Sequence, residues 1–442
     1  ITISAGTLQG ASGGVIAANG GNGGCRPSGG GGGGRIVMLV DDMTSYAGNY
    51  SAQGGVSQET SVADNIGSSG TVYLRSSSTN AAVLGTLVLS NVLANNNAAL
   101  VSTAITPLRT QLTELQQLIV RDRGRLSVTS TDVASFTVEQ PVTVAGTSTL
   151  ILNTGTTMAV TNATGFDLNI ESASGVTLGS AAVLEANAIR ISAGVLNTYS
   201  DLDFPVGSDL QISSGGRLNV MSGATLGLEY LDASNVQGGT LDLRSGSALN
   251  VASGSITAGS GVTLIKDGQF GGLGEPDQIT DVTILPGGNI KHSIRFLSGL
   301  QLTVTGTLWI QRSISAVGRI DVTGCGLLGA GRNSTVPNIG TTRGETYDDY
   351  GNIVPGSGGS SGGSHGGLGG IGGTAGPVAD AYEYVEQTMR LGGGGGCEYA
   401  SANPGGNGGG LVRISAGTVI VDGEIRADGQ AMVPNCGYAY GR

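Results

Sequence analysis

The residues able to do chemistry are sparse. The chain has two histidines, His292 and His365, and four cysteines, Cys25, Cys325, Cys397 and Cys436. No two cysteines form a C-x-x-C pair, and histidine is too scarce to complete a zinc site. The carboxylates worth testing are Asp41-Asp42 and the run Glu345-Thr-Tyr-Asp348-Asp349-Tyr350. Polysaccharide lyases and hydrolases need clustered carboxylates, or an Arg or Lys base with a bound cation. The second run is suited to a cation or to a sugar held through its tyrosines, and competes with a solvated acidic loop. His365 in its glycine run reads as a loop hydrogen-bonder, and His292 beside Lys291 reads as exposed.

Motif matches are formal only. Gly362-Gly-Ser364-His-Gly366 fits the hydrolase elbow, but the elbow needs a strand before it and a helix after it, and here both flanks are glycine. Gly367-Leu-Gly369-Gly-Ile-Gly372 fits a dinucleotide fingerprint with no helix to follow. No phosphate-binding Gly-Lys-Ser/Thr occurs, and the Gly-Gly-x-Gly-x-Asp calcium repeat is missing. The reading is therefore a non-enzyme, with no catalytic, cofactor-binding or metal residue assigned and no cofactor expected. Sequons stand at Asn49, Asn162 and Asn333, at the density that a Ser- and Thr-rich chain produces by chance.

Composition narrows the partners. The net charge is −11, and Lys266 and Lys291 are the only lysines. Without a basic run, nucleic acid is not an expected partner. Without an 18-residue apolar run, neither is a membrane interior. The chain opens on Ile1 with no visible signal peptide, and is read as processed or as a segment of something longer. Gly accounts for 81 of 442 residues, yet 39% of residues are hydrophobic and 12% charged. Disorder needs the opposite balance, so a core of Leu, Val, Ile and Ala is expected.

Short period-2 triplets must supply that core. Leu168 with Ile170, Ile189 with Ile191, Leu210 with Ile212 and Leu218 with Val220 are examples, separated by Gly, Ser, Asn and Asp. Leu168, Ile189 and Leu210 are 21 residues apart, as are Leu241 and Val262. Strands repeating at that length without helices predict an all-β right-handed parallel β-helix, or β-solenoid, with almost no α-helix. Thr106 to Gly124 breaks the beat. Leu108, Leu112, Leu115 and Ile119 suit a short helix after Pro107, while Leu115 to Val120 suits another strand.

Glycine concentrates in residues 13–34 and 356–376, then at 392–396 and 405–410. Strand-like runs follow directly at Arg35 and Leu411, which favours ordered glycine loops over linkers. Extended glycine chains can pack like polyproline II because no side chain blocks their approach. The two ends also match. Ile3-Ser-Ala-Gly-Thr7 returns as Ile414-Ser-Ala-Gly-Thr418, and a looser match brings Cys25 opposite Cys436. The expected organisation is a Gly-rich β module at 1–84, a parallel β-helix at 85–325, a Gly-rich loop region at 326–410, and the start of the next module at 411–442, equivalent to 1–31.

Four segments carry a resemblance. They are Gly362-Gly-Ser-His-Gly-Gly-Leu-Gly-Gly, Leu391 with its five glycines, Gly408-Gly-Gly-Leu-Val-Arg-Ile-Ser-Ala-Gly, and Val421-Asp-Gly-Glu-Ile-Arg-Ala-Asp-Gly. Gly34-Arg-Ile-Val-Met and Gly70-Thr-Val-Tyr-Leu-Arg75 continue it. These resemble Gly-rich β-helical repeat modules of very large secreted surface and appendage proteins of bacteria and protists. The resemblance implies a structural or adhesive role and assigns no catalytic residue.

The resulting expectation is a segment of an extracellular filament or cell-surface appendage, whose partner is itself, in tandem or head-to-tail, with glycans as a second class. A carbohydrate-binding or carbohydrate-cleaving β-helix, or an adhesin passenger domain, is the alternative. An even number of cysteines in an acidic, Lys-poor chain points to disulfides and an oxidising compartment, against four free thiols. Cys397 with Cys436, both in the C-terminal Gly-rich module, is the expected pair. Cys25 would then pair with the counterpart of Cys397 in a preceding module, and Cys25 with Cys325 is the competing assignment.

Overall fold

A computed structural model describes residues 1–442 except 25–28, 57–65, 76–83, 93–103, 111, 163, 206–207, 233–234, 272–278, 332–341, 360, 372–375, 383–388, 398–404 and 432–442. The described residues are all-β, with no helix. The strands stack coil on coil into long parallel sheets, as in a β-solenoid. Two compact units result. One comprises Ile1–Glu229, Ser234–Leu241 and Ser247–Leu249; the other comprises Tyr230–Ala233, Asp242–Gly246 and Asn250–Arg442.

In the first unit the apolar triplets become rungs. Leu168 lies opposite Ile189, and Ile189 opposite Leu210, so the 21-residue step is one coil here. It does not hold everywhere. On a second face Leu126, Leu150, Val176, Leu196 and Leu218 stack in register at steps of 20 to 26 residues. Corner loops absorb the difference, because only inward residues must stay aligned. Those inward residues are fully buried, each worth about 1.5–3 kcal/mol.

The corners use left-handed backbone. Asp122, Arg123, Ser172 and Ala173 adopt positive φ. Such corners bond coil to coil, as in Arg123 N–H to Gly146 O at 2.8 Å and Ala173 N–H to Ala193 O at 2.7 Å. Gly223, between Arg217–Val220 and Thr225–Leu228, has φ 85° with open space around it. Gly223→Ala should therefore cost about 1 kcal/mol through backbone strain alone, read as a lowered denaturation midpoint.

Of the two readings open for the segment after Thr106, the structure has the strand: Thr106–Pro107, Glu114–Leu115 and Gln117–Arg121 are strands. Leu118 and Val120 point inward at period 2 and lie beside Leu87 and Leu89 of Thr86–Ser90. That neighbouring edge outweighs the local helical spacing. Among the described residues of this unit parallel pairing is interrupted once: Thr71–Arg75 and Thr86–Ser90 pair antiparallel. Too few residues separate them for a full coil, and antiparallel strands accept a short connection.

In the second unit Thr263–Lys266, Asn289–Lys291, Arg319–Asp321 and Glu424–Arg426 form one parallel ladder. Leu300–Ile310 pairs in parallel with Val412–Val421. Between Asp321 and Val412 no described strand joins these ladders, and the chain makes an excursion from the coil. This excursion carries an antiparallel hairpin, Arg343–Tyr347 with Ile353–Gly358, and most of the unit's glycine.

Candidate functional site

The glycine segments are built backbone against backbone. In the second unit three runs, 324–330, 392–397 and 405–410, bond to one another. Gly326 N–H donates to Gly408 O at 2.8 Å, Gly408 N–H to Leu327 O at 2.9 Å, Leu327 N–H to Gly392 O at 3.0 Å, and Gly392 N–H to Gly409 O at 2.8 Å. These runs belong to no strand, and the bonds lie between runs rather than within them. That is how extended chains without side chains pack. At Gly408 a Cβ would sit far inside the van der Waals contact distance of the Gly392 carbonyl oxygen.

The first unit has a related arrangement. Gly67 N–H donates to Gly55 O at 2.9 Å, Gly55 N–H to Gly31 O at 2.7 Å, and Gly31 N–H to Gly21 O at 2.8 Å. In each unit an asparagine enters the glycine layer. Asn91 Oδ1 accepts from Gly54 N–H at 2.8 Å, and Asn407 Oδ1 accepts from Gly329 N–H at 3.1 Å. Both asparagines are buried. Sequence reasoning passed over them; the Asn-Gly-Gly context marks Asn407, but nothing local marks Asn91.

Buried polar side chains fasten the excursion to the coil of the second unit. The Arg295 guanidinium donates through Nε to both oxygens of Glu345, at 2.8 and 3.1 Å. Glu345 Oε2 also accepts from Leu328 N–H at 3.0 Å. At the return, Leu411 N–H donates to His292 Nε2 at 3.0 Å, so Nδ1 carries the proton and donates to Ser293 O at 2.7 Å. Asp267 accepts from Ser293 N–H at 2.7 Å. Beside these, Leu327, Tyr347, Tyr382, Leu391 and Leu411 form a small core, with the Tyr347 and Tyr382 rings edge-on at 5.3 Å.

This overturns two readings. His292 is buried rather than exposed, because its ring receives the chain returning at Leu411. The acidic run is not one solvated loop: Glu345 and Tyr347 are buried strand residues, while Asp348 and Tyr350 turn outward. Asn352 donates to Asp348 and holds its carboxyl below the usual range, and Thr44 does the same for Asp42. A depressed carboxyl is a poor general acid. Among the described residues no group of three or more His, Cys, Asp or Glu is placed to hold a metal ion. No helix among them is long and apolar enough to cross a membrane. His365 stacks edge-on against Tyr382 at 5.0 Å, and its carbonyl accepts from Tyr382 N–H.

Burial pushes the His292 imidazole below its ordinary value of 6.5. The bond to Ser293 O and the nearby Asp267 carboxylate oppose the shift, and the Lys291 charge adds to it. The folded state thus keeps a neutral ring, and the unfolded chain binds the proton first as the pH falls. Stability is full above the ordinary value and declines below it. Denaturant midpoints should drop as the pH falls below about 6.5, and His292→Gln should flatten that slope.

The other sequence-marked residues are dispersed. Cys325 is a buried free thiol, and burial raises both its pKa and that of the buried Cys397. Cys25 and Cys436 lie outside the described residues, as does either expected pairing that involves them. Asn49 is exposed on Asn49–Ser51. Asn162 donates its side-chain amide to Thr164 O and lines an open groove of about 780 Å³ in the first unit, with Val183, Glu185, Asn187, Asp201 and Asp203. Asn333 lies outside the described residues. No protein-family model, curated protein or solved structure matches this chain.

Proposed function

We propose that this chain is a structural segment of an extracellular filament or cell-surface appendage, a solenoid whose partner is another module of its own kind. The glycine packing is the observation that carries the reading. Three extended runs bond to one another through main chain alone, and buried Glu345–Arg295 and His292 contacts tie them to the coil. An architecture that commits main chain and buried charge to rigidity suits load-bearing. The acidic, Lys-poor composition and the cysteines in glycine-rich segments support an oxidising, extracellular setting.

Electron microscopy of concentrated protein, with and without reductant, tests this. Filaments that loosen under reductant are expected; dispersed single particles at all concentrations would overturn the proposal. The alternative, a carbohydrate-binding β-helix, draws on the groove lined by Glu185, Asp201 and Asp203. A glycan array together with a polysaccharide degradation screen separates the two.

A further inference from the structure

Resting on that structural reading, we infer that the edge of Val412–Val421 left unpaired among the described residues receives the Arg35–Asp42 strand of a second copy, in place of that copy's own Thr2–Thr7. The register is Ile414 opposite Met38, Ser415 opposite Leu39 and Ala416 opposite Val40.

The strand motif Ile3-Ser-Ala-Gly-Thr7 recurs as Ile414-Ser-Ala-Gly-Thr418. Thr2–Thr7 pairs with Arg35–Asp42, placing Ile3 opposite Met38 and Ala5 opposite Val40. Val412–Val421 pairs with Leu300–Ile310, placing Ile414 opposite Leu302 and Ala416 opposite Val304. Both pairings are parallel. Among the described residues each strand is paired along one edge only.

The backbone bonds show that these are opposite edges of the same rung. In a parallel ladder, alternate residues bond to alternate neighbours. Val37 N–H donates to Ile1 O at 2.9 Å, so Ile1 and Ile3 face Arg35–Asp42. Leu300 N–H donates to Leu411 O at 2.9 Å, so Leu411 and Arg413 face Leu300–Ile310. Val412 and Ile414, the counterparts of Ile1 and Ile3, therefore point to the other edge. That edge is the one which, in the first copy of the motif, holds an Arg35–Asp42 strand.

Packing agrees. Ile3 and Ala5 are half-buried against Met38 and Val40. Ile414 and Ala416 are half-buried beside Leu302 and Val304. Joined, the rung is covered on both sides, giving columns Leu302–Ile414–Met38 and Val304–Ala416–Val40. The exposed Val419, Ile420 and Val421 extend the strand beyond the motif. Exchange of one ISAGT strand for another leaves the first pairing chemically unchanged, the condition under which swapping is cheap.

Intermolecular disulfide mapping tests the register. Neighbouring strands lie about 4.8 Å apart, within disulfide reach for outward side chains. Ser415→Cys protein is mixed with Leu39→Cys protein and, separately, with Ser4→Cys protein. The mixtures are oxidised mildly, digested for mass spectrometry and imaged. Loss of monomer into a species linked 415 to 39 is expected. Filaments linked 415 to 4 mean that intact ends stack, which overturns the exchange and leaves the filament reading standing. Filaments with neither link overturn it as well. Unlinked single particles overturn both this inference and the structural reading beneath it.

Discussion

Gly408→Ala is expected to disrupt the glycine bundle of the second unit, at a cost of about 3 kcal/mol or more. The added methyl would overlap the Gly392 carbonyl oxygen, and Gly392 is itself held by Gly409 O at 2.8 Å. The atoms that the methyl would meet are main chain rather than the end of a flexible side chain, so the clash must be relieved by breaking main-chain bonds. Hydrogen exchange should show lost protection at Gly326, Leu327, Gly392 and Gly408, together with a lower denaturation midpoint. Gly367→Ala is the control: nothing lies near its Cβ position, and its effect should stay within about 0.5 kcal/mol. Equal effects at the two positions would mean that the runs do not pack in this way.

Glu345→Ala should cost about 3–5 kcal/mol. Glu345 has no exposed surface and receives both Arg295 and the Leu328 amide. Its removal strands a guanidinium that is only 27% exposed and leaves a main-chain donor without its carboxylate. Replacing both partners, as in Arg295→Met with Glu345→Leu, should recover much of the loss, because an apolar pair leaves no buried charge. Chemical denaturation of the single and double variants measures this. A single variant as stable as the parent would show that the pair does not secure the excursion.

The two sites differ in how far they could be read from the chain. Glycine runs leading straight into Arg35 and Leu411 were enough to expect ordered packing. Which run would bond to which was not, because a residue without a side chain carries no pattern. His292 and Glu345 were misread for a related reason. Each has polar neighbours in sequence, Lys291 and Asp348, that suggest solvent. Their true partners, Leu411 and Arg295, are 119 and 50 residues away.

The sequence alone determined the repeating β architecture and its interior. Period-2 triplets such as Leu168 with Ile170 make a strand two-faced, and strands of one kind at coil spacing bury that face only by stacking. It also determined that one strand, ISAGT, occurs twice. Tertiary structure alone decided the rest. It set the uneven coil lengths, since corner loops have no preferred size while the inward residues remain in register. It made strands of residues 114–121, because a waiting sheet edge gains more than an isolated helical turn. It also decided that Thr2–Thr7 and Val412–Val421 are paired along opposite edges of one rung, which depends on the bonding phase of each ladder and leaves no trace in residue type.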